Sequence, residues 1–236
     1  MTRTNGQESP HTSLLLAGGA FALSLILERL PLLGWLAYAF RLFDTLIHEL
    51  SHGLMALLTG GHFLHFVIAP DSSGMATTAG GWRLLVVPAG YLGTALFGGA
   101  LLLLTNRSSP RTRRWLALGL GVFFVLVTAL FARNWGAVFV GGLWAVALVA
   151  LAEYGPPLVQ AFGLNLLAIQ CSLNALDSLG GLVRLNTGPY QRPNDAQTMA
   201  DLTHLPAAAW ALLWSLMALV IFIGSVYLCL RKRDSS

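Results

Sequence analysis

Long apolar runs follow one another along this chain, separated by short polar connections. The runs are Leu14 to about Leu27, Phe43–Thr59, Leu84–Thr105, Trp115–Phe131, Trp135–Ala152, Leu158 to about Leu176, and Ala207–Leu230. Most approach the roughly 20 residues that a helix needs to cross a bilayer. The pattern predicts an all-α multi-pass membrane protein of six or seven transmembrane helices. The first two runs decide between those counts, because "LERLPLLGWLAYAFR" places Glu28, Arg29, Pro31 and Arg41 between them. That stretch reads as a loop, an interfacial helix or a kinked continuation.

Two connections carry structure of their own. "GGHFLHFVIAPDSSGMATTAGG" is bounded by glycines, partly alternating, and turns at "PDSSG". It predicts a short β-hairpin-like loop after the second run. "GGLVRLNTGPYQRPNDAQTMADLTHLP" is the longest polar stretch. It predicts an irregular loop and then a short helix, started by Asn194 or Asp195 and stopped near Pro206.

Composition turns the pattern into a class. Of 236 residues, 56% are hydrophobic and 10% charged, against roughly a quarter charged in soluble domains. Residues 1–236 therefore read as one transmembrane domain, with a polar N-terminal tail at 1–12 and a basic C-terminal tail at 231–236. The apolar stretch continues past the small residues Ala17–Ala20, which predicts a retained first helix rather than a cleaved signal. The net charge of +4 comes almost wholly from arginine. In a membrane protein this marks cytoplasmic flanks, so "NRSSPRTRR" and "RKR" are both expected in the cytoplasm, C-terminus included. Four runs separate them, an even number, as that shared side requires. Nucleic-acid binding is not expected. Cys171 and Cys229 lie in apolar runs and make neither a disulfide framework nor a cysteine-rich metal site.

Against this background "HELSH" at 48–52 stands out. Residues four apart lie on one helix face about 6 Å apart, so His48 and His52 can aim two imidazoles at one ion. Glu49 is rotated by about 100°, which keeps its carboxylate beside the metal and out of its ligand shell. Two zinc ligands and a general base are the mechanical content of the HExxH pattern. With 6 His in the chain and few glutamates, chance alone predicts roughly 0.003 such matches. A competing account makes these satisfied core histidines, with Glu49 paired to Arg41 or Arg83. Ionisable groups inside a span are functional by default, and that decides for metal. Asp44, four residues before His48, either accepts the second imidazole N–H or pairs with Arg41 near the helix start. His62 and His65, in the predicted strand, and His204 are left out.

"HELSHGLMALLTGG", "PDSSGMATTAGG" and "PAGYLGTALFGG" together resemble the site-2 protease clan of intramembrane zinc metalloproteases. The compact subgroup called B-type peptidases is the most similar, and "NDAQTMADLTHLPAAAWALLW" resembles its tail. The likeness spans roughly residues 40–220. It implies an integral protein of the lipid bilayer, in a bacterial cell membrane, that binds Zn2+. It also implies hydrolysis of peptide bonds in membrane protein or peptide substrates.

A catalytic zinc takes three protein ligands and a water. In the family the third is an aspartate ending an Asn-containing segment in Leu-Asp-Gly. Here Leu176-Asp177 is followed by Ser178, with the glycines only at 180–181. Asp177 is the expected third ligand, with Asn174 one turn before it as a candidate to orient it or to steady an oxyanion. Asp195 is the rival ligand, or else a helix-start acid. Two other functions stay in view: a catalytically inactive pseudoprotease or chaperone-like module that keeps the metal, and a cation transporter. Glu49 speaks against the first, which has no use for a base. The second calls for polar residues along several spans, and those at 115–131 and 135–152 offer Thr128 alone.

Overall fold

Why the chain folds as it does is clearest from α4 (Ala89–Arg107), which packs against three long helices. In the computed structural model, which describes residues 10–29, 33–176 and 194–231, small residues of α4 let its neighbours approach closely. A Cβ on Gly98 would lie 2.6 Å from the Ala168 carbonyl oxygen of α7 (Pro157–Leu176). One on Gly99 would lie 2.5 Å from Ser225 Oγ in the last helix, Ala207–Leu230. One on Gly93 would lie 2.5 Å from Ser51 Cβ in α2 (Gly34–Leu58). In lipid there is no hydrophobic drive between helices, so such close approach of backbones is a main source of association.

The remaining described elements are α1 (Pro10–Arg29), β1 (His62–Ile68), β2 (Gly74–Ala79), α3 (Arg83–Val86), α5 (Pro110–Phe131), α6 (Trp135–Tyr154), α8 (Asp195–Thr203) and α9 (Ala207–Leu230). The multi-pass all-α architecture is as expected, and the span count is sharper. Among the described residues five helices, α4, α5, α6, α7 and α9, are long and apolar enough to cross a membrane, against the six or seven expected. Helix α2 is long but falls short of that mark. It carries Arg41, Asp44, His48, Glu49 and His52. Helix α2 instead lies inside the bundle, with Phe40, Leu42, Phe43, Leu46, Ile47 and Leu50 buried. It begins well before the apolar run, at Gly34, so the stretch 34–41 adds about two turns to the HELSH helix. Phe43 anchors it through tilted and edge-on contacts with Phe97, Phe124 and Trp144, at centroid distances of 6.0, 5.8 and 4.7 Å. Such pairs add about 0.5–1.5 kcal/mol each beyond burial.

The hairpin expected at 60–83 forms, with β1 and β2 antiparallel in register from His62↔Ala79 to Ile68↔Gly74. A bulge between Phe63 and His65 breaks the simple alternation assumed for the two histidines, and His65 Nε2 lies 3.1 Å from Thr77 Oγ1. Asp71 builds the turn by accepting from the Ser73 backbone N–H at 3.1 Å.

The end of α4, with Arg107, and the end of α9, with Arg231, meet at one end of the bundle. Arg107 donates to the Leu228 carbonyl at 2.6 Å, joining the end of α4 to the last turn of α9. Arg114 pairs with Glu153 at 2.7 Å, joining the start of α5 to the end of α6. The even number of helices between the two basic segments therefore matches a shared end.

Candidate metal centre

Helix α2 supplies two side chains by periodicity alone. His48 and His52 stand one turn apart with ring centroids 4.8 Å from each other. The Val86 carbonyl lies 2.7 Å from His52 Nδ1. A carbonyl can only accept, so Nδ1 carries the hydrogen, and Nε2 is the atom left to donate to Asp195 when protonated or to bind a metal when not. Val86 is free to do this because it ends the four-residue α3, where helix carbonyls lack intrahelical partners.

The third group arrives from far along the chain. Asn194 caps α8, its side-chain oxygen accepting from the Gln197 N–H at 2.8 Å. This start is the one the polar stretch predicted, and it leaves Asp195 in the first turn. Asp195 Oδ2 lies 2.9 Å from His48 Nε2 and 3.3 Å from His52 Nε2. One ligand atom from each of the three residues falls within 4.8 Å of the others. Burial by itself would raise the Asp195 pKa, but hydrogen bonds to His48 and His52 hold it well below the usual carboxylate range. The carboxylate is therefore ionised, as a metal ligand must be.

Do these residues fit zinc? Bonds of 2.0–2.2 Å in a tetrahedron set ligand atoms about 3.4 Å apart, close to the 3.3 Å from Asp195 to His52 and wider than the hydrogen-bonded 2.9 Å to His48. The donor set, two imidazoles and a carboxylate, is one that catalytic zinc sites use. Space has also been kept. A Cβ on Gly90 of α4 would fall against His48 Nε2 and 2.5 Å from His52 Nε2, where the two ring nitrogens converge. His48 and Asp195 each keep 22% of their side-chain surface, so the group is reachable from outside the protein. Gly90 and Arg107 are 17 residues apart, about 25 Å along the helix. The group thus sits toward the end of the bundle away from the arginines.

Glu49 is buried against the hairpin. Its carboxylate faces the Ala76 backbone N–H of β2. A Cβ on Gly74 would lie against Glu49 Oε1, 2.7 Å from Glu49 Cγ and 2.6 Å from Thr45 Cγ2. Thr45 in turn donates to the Ser72 carbonyl at 2.7 Å, tying α2 to the hairpin turn.

The other expected residues are distributed less evenly. Asp44 is buried one turn before His48, beside the Cys171 thiol of α7. Asn174 is exposed near the end of α7. Asp177, the expected third ligand, lies outside the described residues. Among the described residues the carboxylate that meets the two imidazoles is that of Asp195, the rival. Sequence reasoning missed Val86, Gly74 and Gly90. The two glycines belong to "PDSSGMATTAGG" and "PAGYLGTALFGG", where their spacing offered a resemblance but no contact.

The family model described as Peptidase M50B-like matches residues 15–225. No curated protein and no solved structure matches the chain. A match over that extent, on a multi-pass helical bundle with paired HExxH histidines facing an aspartate, shows that the chain belongs to the Peptidase M50B-like family of metallopeptidases.

Proposed function

We propose that this protein is a zinc-dependent intramembrane endopeptidase that hydrolyses peptide bonds of membrane protein or peptide substrates. His48, His52 and Asp195 are the residues that hold the ion, and Glu49 is the general base. The observation that carries this reading is the approach of Asp195 Oδ2 to within 3.3 Å of both imidazole Nε2 atoms, with Glu49 buried next to them. When bound, zinc supplies Lewis acidity that polarises a scissile carbonyl and acidifies water.

The chain's own residues do the rest. Val86 fixes the His52 tautomer. Glu49 takes a proton from the attacking water and delivers it to the leaving amine, acting as base and then acid. A transmembrane helix hides its carbonyls in its own hydrogen bonds, so the substrate must be extended before attack. The hairpin supports a way of holding it. The outer edge of β1 is filled by the α5–α6 connection, through Arg133 N–H to the Phe66 carbonyl at 3.1 Å and Asn134 Nδ2 to the Ile68 carbonyl at 2.8 Å. The second strand, β2, passes over Glu49 and is the one placed to receive an unwound segment by β-addition.

Glu49→Gln tests the mechanism. It is expected to lower turnover by about 10²–10⁴-fold, the usual contribution of a positioned base, while zinc stays bound. Wild-type turnover in this variant would overturn the assignment. We also place the basic segments and the C-terminus in the cytoplasm. Cysteines introduced at Ser109 and Ser235 should resist an impermeant thiol reagent until the membrane is opened. Labelling of either one in intact cells counts against this orientation.

A further inference from the structure

The element that delivers Asp195 is too short to hold its own place. Helix α8 has nine residues, fewer than the roughly 12–15 at which an isolated helix becomes even marginal in water. Its position is therefore set by what it packs on. Ala196 and Met199 are buried in a small cluster with Ala211 and Trp214 of α9, flanked by Tyr91 of α4 and by Trp210. At the far end, Trp210 Nε1 donates to Thr203 Oγ1 at 2.9 Å. Thr203 Oγ1 in turn donates to the Met199 carbonyl at 2.6 Å.

The same surface reaches the other side of the centre. Tyr91 meets the His48 ring edge-on, with centroids 4.8 Å apart and planes at 90°. Its ring is backed by Trp214, stacked at 5.4 Å and 23°. Trp214 is 1% exposed and ranks among the largest fully buried side chains. One indole thus lies under the helix that carries the carboxylate and behind the ring that abuts the imidazole.

We propose that Trp214, with Trp210 beside it, is a positioning residue of the metal centre, setting where Asp195 and the His48 ring stand relative to each other. It touches neither metal nor substrate. The inference rests on the reading of Asp195 as third ligand. Its physical basis is tolerance: a metal site needs its ligands held within about 0.5 Å. A nine-residue helix lying on one flat ring shifts by that much if the ring is removed.

The test uses the full-length protein in detergent, with zinc affinity measured by competition against a chelating indicator and with the visible absorption of the cobalt(II)-substituted protein. Trp214→Ala is expected to weaken zinc binding by about 10–100-fold, the usual cost of losing a residue that orients a ligand, and to shift the cobalt bands. Trp214→Phe should recover most of both, because a ring is restored. Trp210→Phe, which loses the bond to Thr203 while keeping a ring, should cost a few-fold. A folded Trp214→Ala protein with wild-type affinity and unshifted bands overturns the inference. If Trp214→Ala does not fold, wild-type affinity and bands in Trp210→Phe overturn it instead. Asp195→Ala, measured alongside, separates the two levels. Unchanged affinity there sinks the ligand reading itself, whereas lost affinity there with none lost in the tryptophan variants sinks only the positioning role.

Discussion

Helices α2 and α8 contribute to the same centre by opposite routes. The first is 25 residues long, is packed into the bundle, and sets two imidazoles on one face because residues four apart always share a face. The second is nine residues long and brings a single carboxylate from 147 positions beyond His48. What α2 offers is guaranteed by helical geometry wherever the helix sits. What α8 offers exists only because the Trp210–Trp214 surface seats it. A metal centre can therefore have one half written locally and the other half written in packing.

The sharpest way to break this comparison is to remove the carboxylate. Asp195→Ala is expected to lower zinc affinity by at least about 100-fold, above the 10–100-fold typical of residues that only orient ligands. Asp177→Ala should leave most zinc in place. Measured zinc stoichiometry in the two proteins decides it. Retention in Asp195→Ala with loss in Asp177→Ala would return the third position to the end of the α7 segment.

A second comparison uses the two glycines, which border the two chemical roles separately. Gly90→Ala places a methyl group where the imidazole nitrogens converge, so metal content is expected to fall by tenfold or more although every ligand remains. Gly74→Ala presses instead on Glu49, and its effect should be on turnover, up to about 10²-fold if the carboxylate moves by an ångström, with zinc content unchanged. Equal losses of metal in both variants would show that base and ligands are not set by separate neighbours. Wild-type zinc content in Gly90→Ala would show that α4 does not bound the metal position.

Much of the architecture was legible because lipid imposes a strong rule: backbone groups must be satisfied within the segment, so long apolar runs become helices. The runs from Trp135 to Ala152 and from Ala207 to Leu230 could be placed almost to their ends, whereas the run from Leu84 to Thr105 is split at Val87-Pro88 into α3 and α4. The stretch before the HELSH helix resisted, since Pro31 and Arg41 are compatible with a loop, and only its packing shows that Gly34–Arg41 continues α2. The hairpin was legible from glycines, alternation and "PDSSG", but its bulge was not, because a bulge answers to the register of the partner strand.

The sequence alone determined a membrane-embedded helical chain, the pairing of His48 with His52, and Glu49 beside them. These follow from local rules, bilayer thickness and a 3.6-residue period, that act within one segment. Tertiary structure alone decided which described carboxylate meets the histidines, that Val86 fixes a tautomer, that Gly74 and Gly90 leave room for the base and the metal position, and that Trp214 underlies the third contributor. Asp177 and Asp195 are both aspartates in polar stretches beside apolar runs, and nothing local distinguishes them. The distinction depends on how far α8 slides along α9 and α4 before its side chains interlock, a property of packed surfaces that no single segment encodes.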